Sequence, residues 1–455
     1  MSKKFDFDVL YIGAGHATFD GAAPLAATGC SVGVIESGLV GGTCPNRGCN
    51  AKITLDQAVK TTRESERLGD VLKGNISIDW TKNVAHKQEI IDPLPEALTG
   101  LLESNGAKII KGHAQFKDNH TVIVNNTTEV TAEKIVIATG LKPHRLEIPG
   151  TELAHDSEDF MNLKTLPSDI VIIGTGYIGM EFATMANAAG SKVTVLLHSD
   201  MVLRKFHQPF VQKVVADLEK RGVTFIKNAN VHSFEEHTGK CVVNYGDSQS
   251  ITTDWILDAT GRIPNIDKLN LEKVGVKYNE SGILINDHLQ TNVENIYASG
   301  DVISSNQPKL TPSAVFESKY LMKLFSGQTT DPINWPVIPS VVFTSPRIAK
   351  AGVTVEDADK KGFNVTDTDL TANWYYQVDK ESIAESKQVH DKQGHIVGVT
   401  EISDQAQDSI NTLLPAIELK LDQEQIDRMV NLFPAIGFDA WSRAQGEVTQ
   451  LDPED

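Results

Sequence analysis

Two stretches of this chain follow one plan, and that plan narrows its fold more than any other feature. DVLYIGAGHATFDGAAPLAATGCSVGVIES, at residues 8–37, is an apolar run, a glycine turn, a helical stretch and a second apolar run; DIVIIGTGYIGMEFATMANAAGSKVTVLLHSD, at 169–200, repeats it. Apolar runs this short and unbroken suit strands covered on both faces, so each stretch reads as a βαβ unit of a parallel sheet. A glycine turn opening a helix is also a phosphate site, because the first N–H groups of the helix have no partner within it. The expected class is α/β, with two Rossmann-like dinucleotide-binding domains.

In the first unit Gly13 permits the tight turn, Gly15 lets backbone approach a pyrophosphate, and Glu36, 21 positions after Gly15, is spaced to hold a ribose hydroxyl. Thr18 occupies the third glycine's place, and Pro24 falls inside the expected helix, where it deletes a hydrogen bond. The second unit is complete, with Gly174, Gly176 and Gly179. Where an NAD-type site places its acid this chain has His198 and Ser199, followed by Arg204 and Lys205, a set that suits a 2′-phosphate and favours NADPH over NADH. The plainer alternative is a solvated basic edge.

At 455 residues the chain has room for two to four domains. A formal net charge of −18 argues against nucleic acid and anionic lipid as bulk partners. No stretch approaches the roughly 18 consecutive apolar residues of a membrane helix, and MSKKFDFDVLYIG carries no long apolar segment before the first glycine turn. A soluble, cytoplasmic protein is expected.

The four cysteines, Cys30, Cys44, Cys49 and Cys241, are too sparse for a secreted disulfide scaffold. Cys44 and Cys49 fall in GGTCPNRGCNAK, residues 41–52, just after the first βαβ unit. Zinc wants about four ligands, and no second cysteine pair or histidine cluster follows at a ligand spacing, so no metal is expected. A structural disulfide is disfavoured in a reducing cytosol. What remains is a catalytic dithiol in a flexible PNRG loop beside a bound cofactor.

GGTCPNRGCNAK resembles the redox-disulfide motif of the class I pyridine nucleotide-disulfide oxidoreductases, the flavin-dependent family of glutathione reductase, dihydrolipoamide dehydrogenase and mercuric reductase. The likeness runs on through GHAQF (112–116), IVIATG (135–140), GTGYIGMEFA (174–183), ATGRIPN (259–265), NIYASGDV (295–302), LTPSA (310–314) and IPSVVFTSPRIAKAGVT (338–354), covering most of the chain. It implies an FAD-binding domain split between 1–147 and 259–330, an inserted NAD(P)H-binding domain at 148–258 and a C-terminal α+β dimerisation domain at 331–455, hence a homodimer. By the same resemblance Gly13, Gly15, Glu36, Thr43, Ala114, Thr139, Gly140 and Gly261 would border FAD, with Asp301 on its ribityl and pyrophosphate region and Thr311 near the ring. Tyr177 would cover the nicotinamide pocket and Glu181 would orient the nicotinamide. Cys49 matches the cysteine that contacts the flavin, and Cys44 the one that attacks the substrate as a thiolate. The implied activity carries electrons from NAD(P)H through flavin to the Cys44–Cys49 disulfide, then to a small acceptor.

Two departures bear on that acceptor. Family members that reduce disulfides usually end in HPTxSE, whose histidine, contributed across the dimer, shuttles protons; the matching segment here is FPAIGF, with Phe433 at the histidine and Phe438 at the glutamate. General acid–base help is worth about 10² to 10⁴ in rate, so efficient glutathione reduction is not expected. The family's lysine four residues after the second cysteine is replaced by Ile53; Lys52, one residue early, either reaches round to the cofactor or stands as a solvated lysine. His390 and His395 read as surface residues of a hairpin rather than substitutes for the missing imidazole. Mercuric reduction through a C-terminal cysteine pair is not expected, since QGEVTQLDPED contains none. The acceptor is either a disulfide reduced without an imidazole, or a quinone, metal ion or oxygen; a nucleotide-binding flavoprotein without turnover is the non-enzymatic alternative.

Overall fold

The computed structural model describes residues 4–446. The chain divides into two compact units, Met1–Thr54 with Val84–His144 and Gly261–Trp335, and Leu55–Asn83 with Arg145–Thr260 and Pro336–Asp455.

The first unit is organised by β1 (Phe7–Ile12), α1 (His16–Ala27) and β2 (Val32–Glu36), with α2 (Thr43–Arg47) and the start of α3 (Cys49–Arg67) following. The sheet adds β3 (Lys108–Lys111), β4 (Ala114–Asp118), β5 (Thr121–Val124) and β6 (Thr128–Ile137) in the order β3-β2-β1-β6-β5-β4, and the strand Ile296–Ala298 joins β6. Tyr11 pairs in parallel with Val34 on one side and Val136 on the other, and Leu10, Val34, Ile35, Val136 and Ile137 are fully buried. The unbroken apolar runs thus form central strands. Pro24 does not end α1: it sits on the helix's exposed side. Ser299 and Ser318 donate to the carbonyls of Ala17 and Thr18, both at 3.1 Å, and fix the first turn of α1.

In the second unit a five-stranded parallel sheet runs Thr224–Ile226, Lys192–Leu196, Asp169–Ile173, Trp255–Asp258, Ala154–His155, with the helix Tyr177–Ala188 rising from the second glycine turn. Its carboxyl-terminal part is an antiparallel sheet centred on Ile396–Ser403, a strand buried along its whole length against the helix Ala406–Leu419. Two Rossmann-like domains and an α+β carboxyl-terminal domain are the observed architecture. Among the described residues no helix is long and apolar enough to cross a membrane.

Candidate active site

The first glycine turn opens into a cavity of about 490 Å³. Gly13, at φ +105°, turns the chain so tightly that a Cβ there would lie 2.4 Å from the Ala138 carbonyl oxygen. At the end of β2 the Glu36 carboxylate accepts the N–H groups of Ala14 at 2.8 Å and Gly38 at 2.7 Å, which fixes it in the cavity wall. Of the residues assigned to FAD, Gly13, Gly15, Glu36, Thr43, Ala114, Thr139, Gly140, Asp301 and Thr311 line this space together with both cysteines. Lys52 and Gly261 lie outside its wall. An open helix start, a fixed carboxylate opposite it and a wall of small residues fit an adenine dinucleotide.

The expected flexible loop between the cysteines is mostly helical: Cys44 lies within α2, Gly48 breaks the path, and Cys49 starts α3. Neither is in a disulfide; Cys44 is half-buried and Cys49 exposed. Cys49 Sγ lies 3.5 Å from Thr311 Oγ1, at the start of the helix Thr311–Phe325. Its place at the first residue of α3 is the end at which a helix favours an anionic sulfur. Hydrogen bonding to Cys49, then burial, pushes the Cys44 thiol well above its ordinary range. In the reduced pair, that hydrogen bond and burial both favour the protonated form of the Cys44 thiol.

The second glycine turn opens into a cavity of about 550 Å³ within its own unit. Gly174, Gly176, Tyr177, His198, Ser199, Arg204 and Lys205 line it; Gly179 and Glu181, further along the helix, do not. Arg204 Nη2 donates to Ser199 Oγ at 2.7 Å, closing a polar corner at the end of the second strand, and no carboxylate stands where Glu36 stands in the first site. Tyr177 packs edge-on against Phe206, with 5.5 Å between ring centroids, and its hydroxyl is hydrogen-bonded to Ser340; burial pushes it up to about 12.

Residues 7–318 match the pyridine nucleotide-disulphide oxidoreductase family, and 338–440 match the dimerisation domain of the same family. The chain belongs to the pyridine nucleotide-disulphide oxidoreductases. It is 30% identical to the dihydrolipoyl dehydrogenase of Geobacillus stearothermophilus over 96% of this chain and 95% of that one. It is 32% identical to the mercuric reductase of Lysinibacillus sphaericus over 94% and 80%. Among solved structures it is similar to the HOCl-induced flavoprotein disulfide reductase RclA of Escherichia coli, with TM-score 0.86 and 26% identity over 95% of this chain and 98% of that one; that protein is also known as a Cu(II) complex. The chain is accordingly an FAD-dependent enzyme of this family, with a pyridine nucleotide as its electron donor.

Phe433, the residue matched in the sequence to the family's proton-transfer histidine, belongs to an aromatic cluster. The Phe433 ring, 60% exposed, packs on Trp374 at 5.5 Å and Phe438 at 5.0 Å between centroids. A buried polar network holds the cluster's two helices. Asn373 caps the helix that starts at Trp374 and also bonds Asp439, the residue after Phe438; Asp439 pairs with Arg443, which donates to Glu401 at 2.9 Å. His395 is engaged with Asp391 at 3.2 Å in the turn after Glu385–His390, and His390 ends that strand, so both lie in the hairpin.

Several wall residues escaped the sequence reading. Asn265, Asp267 and Lys309 line the first cavity, and Lys309 Nζ donates to the carbonyls of Ser281 and Asp301 at 2.6 Å and Ile303 at 3.0 Å. Lysines fixed on backbone carbonyls carry no spacing signal. Glu317 was equally silent: it is buried, accepts the Gly300 N–H beside Asp301, and burial pushes its carboxyl up to about 8.

Proposed function

We propose that this enzyme draws electrons from NADPH and uses the Cys44–Cys49 dithiol to reduce a thiophilic metal ion, with Cu(II) as the representative acceptor. The carrying observation is the aromatic Phe433 cluster, which packs on Trp374 and Phe438 and stands where the family resemblance expects an imidazole; burial and the hydrogen bond to Cys49, which favour the protonated Cys44 thiol, support it.

FAD, when bound, supplies the two-electron step between nucleotide and dithiol. The chain's own residues do the rest. Ser199, Arg204, His198 and Lys205 receive the 2′-phosphate, and the helix start at Gly176 receives the pyrophosphate. Gly13, Gly15 and Glu36 hold the adenosine half of FAD, while Asp301 and Thr311 border its other end. Cys49 takes the flavin-facing role, and Cys44 meets the acceptor.

The proton balance favours a metal ion. Reducing a disulfide, NADPH + H⁺ + RSSR → NADP⁺ + 2 RSH, requires a group that takes the Cys44 proton and returns one to the leaving thiolate. Reducing copper, NADPH + 2 Cu(II) → NADP⁺ + H⁺ + 2 Cu(I), releases a proton, and a soft metal displaces thiol protons as it binds. That the similar flavoprotein disulfide reductase RclA is solved as a Cu(II) complex supports a site able to bind this ion. The dimerisation domain and the exposed Phe433 cluster support a homodimer as the working form.

The test is NADPH oxidation by the FAD-loaded enzyme under argon, with Cu(II) and glutathione disulfide as rival acceptors. Turnover with Cu(II) that Cys44→Ser abolishes is expected, with little turnover of the disulfide. Faster turnover of glutathione disulfide overturns the metal reading. Phe433→His with Phe438→Glu should raise disulfide turnover, and an unchanged rate would show that the missing imidazole does not set acceptor choice.

A further inference from the structure

Asp56 and Arg347 form an ion pair that neither glycine turn nor dithiol explains. Asp56 is 3% exposed and Arg347 7%, and Arg347 Nη2 donates to Asp56 Oδ2 at 3.0 Å. Removing one partner would leave the other charge buried, so such a pair is expensive to break even where it adds little net stability. The Arg347 guanidinium also lies over the Phe343 ring, 4.9 Å from its centroid. Between the two residues the Thr344 hydroxyl closes the turn on the Pro346 carbonyl at 2.6 Å. Arg347 therefore clamps both ends of a short, closed turn.

The turn faces the nucleotide helix. The Phe343 N–H donates to Glu181 Oε1 at 2.9 Å, and Glu181 is buried one helical turn beyond Tyr177. Ser340, three residues before Phe343, is the hydroxyl bonded to Tyr177. One backbone segment, 340–343, thus touches both side chains assigned to the nicotinamide end, and Arg347 and Asp56 anchor it. Asp56 lies on α3, seven residues after Cys49.

We propose that the Asp56–Arg347 pair is a positioning device for the nicotinamide: it fixes the Phe343 N–H, and through it the Glu181 carboxylate, at the angle that a bound nucleotide needs. This rests on the reading of Glu181 as the nicotinamide contact. A carboxylate held by a rigid N–H cannot rotate to a competing rotamer, and small misplacements in such sites cost up to about 100-fold in rate.

The experiment compares wild type, Arg347→Met, Arg347→Lys, Glu181→Gln and the apolar double variant Asp56→Leu with Arg347→Met, all FAD-loaded. Two readouts are taken: the anaerobic rate of flavin reduction by NADPH, and the dissociation constants of NADP⁺ and 2′,5′-ADP, which lacks the nicotinamide half. Arg347→Met should slow flavin reduction about tenfold and weaken NADP⁺ binding about tenfold, with 2′,5′-ADP unchanged. Arg347→Lys should recover part of both losses. The double variant removes the unpaired charge, so it folds if the single variant does not; it should keep the nicotinamide defect. A double variant with wild-type reduction and NADP⁺ binding overturns the proposal, leaving the pair a purely structural contact. Equal weakening of NADP⁺ and 2′,5′-ADP also overturns it. If Glu181→Gln changes neither readout, the nicotinamide reading of Glu181 fails and the proposal with it; a defect in Glu181→Gln without one in Arg347→Met overturns the positioning step alone.

Discussion

The two glycine turns share one sequence plan and become different sites. At both, the first glycine (Gly13, Gly174) has φ +105°, and a Cβ would meet the carbonyl of Ala138 or Ala259 at 2.4 Å. At both, the second glycine has an ordinary φ, and a Cβ on Gly15 would meet nothing nearer than 3.9 Å, on Gly176 nothing within 4 Å. The first glycine serves the chain; the second leaves room for a ligand. They part at the third position. A Cβ on Gly179 would lie 2.1 Å from the Gly174 carbonyl oxygen, whereas Thr18 is accommodated and its hydroxyl donates to the Gly13 carbonyl at 2.7 Å. A missing third glycine in the first unit is therefore an alternative closure of the same turn rather than a weaker motif.

Exchanging the closures breaks this comparison most severely. Gly179→Thr should destabilise the second unit by about 3 kcal/mol, the upper end of overpacking costs, because the Gly174 carbonyl cannot retreat without opening the turn. Thr18→Gly should cost only about 1 kcal/mol, one hydroxyl bond. Chemical denaturation followed by circular dichroism measures both; equal costs would show that the turns close alike. A smaller effect is expected at the second glycines, where folding stays intact. Gly15→Ala should weaken FAD retention about tenfold and Gly176→Ala should weaken NADPH binding by a similar factor, roughly 1.4 kcal/mol each. Released-flavin fluorescence and nucleotide titration separate the two, and a lowered melting temperature in either variant would tell against a ligand-facing glycine.

The strand ends sharpen the contrast further. Glu36 is held by two N–H groups in the first site, while the second offers Ser199 braced by Arg204. His198→Glu combined with Arg204→Gln should lower the NADPH-to-NADH ratio of kcat/KM about tenfold. An unchanged ratio would make the basic group a solvated edge.

Local chain geometry explains what could be read in the sequence. The apolar runs, glycine turns and spacing from Gly15 to Glu36 are contacts close along the chain, so each site's wall on its own βαβ unit was legible. Pairings made at long separation were not: Asp56 meets Arg347 across 291 positions, and Phe343 meets Glu181 across 162. The PNRG segment misled because proline and glycine read as loop, yet Pro45 stands in the first turn of α2, where its missing N–H costs nothing. The sequence places Phe433 and Phe438 where an imidazole and a carboxylate were expected, but the packing of Phe433 on Trp374 and on Phe438 needed the fold.

The smallest expected effect concerns an acid bonded to Gly300 in the wall of the first cavity. Glu317 is buried on the helix Thr311–Phe325 and accepts the Gly300 N–H. Burial is the largest cause that pushes its carboxyl up to about 8, the Gly300 N–H pulls it down and nearby Asp301 adds to the rise. An acid whose folded value lies above its unfolded value of about 4.3 holds an extra proton in the native state between the two. Its contribution is thus greatest at low pH and is lost as pH rises from about 4.3 through about 8, with no further change above. Glu317→Gln keeps an acceptor for Gly300 and removes the titration. Melting temperatures of the FAD-loaded proteins should lie closest near pH 4.5, differ at pH 5.5 and separate fully by pH 8.5, with the variant higher by a few degrees. Parallel curves would mean that Glu317 is ionised throughout, and that Gly300 is held by a charge-assisted bond rather than by a neutral carboxyl.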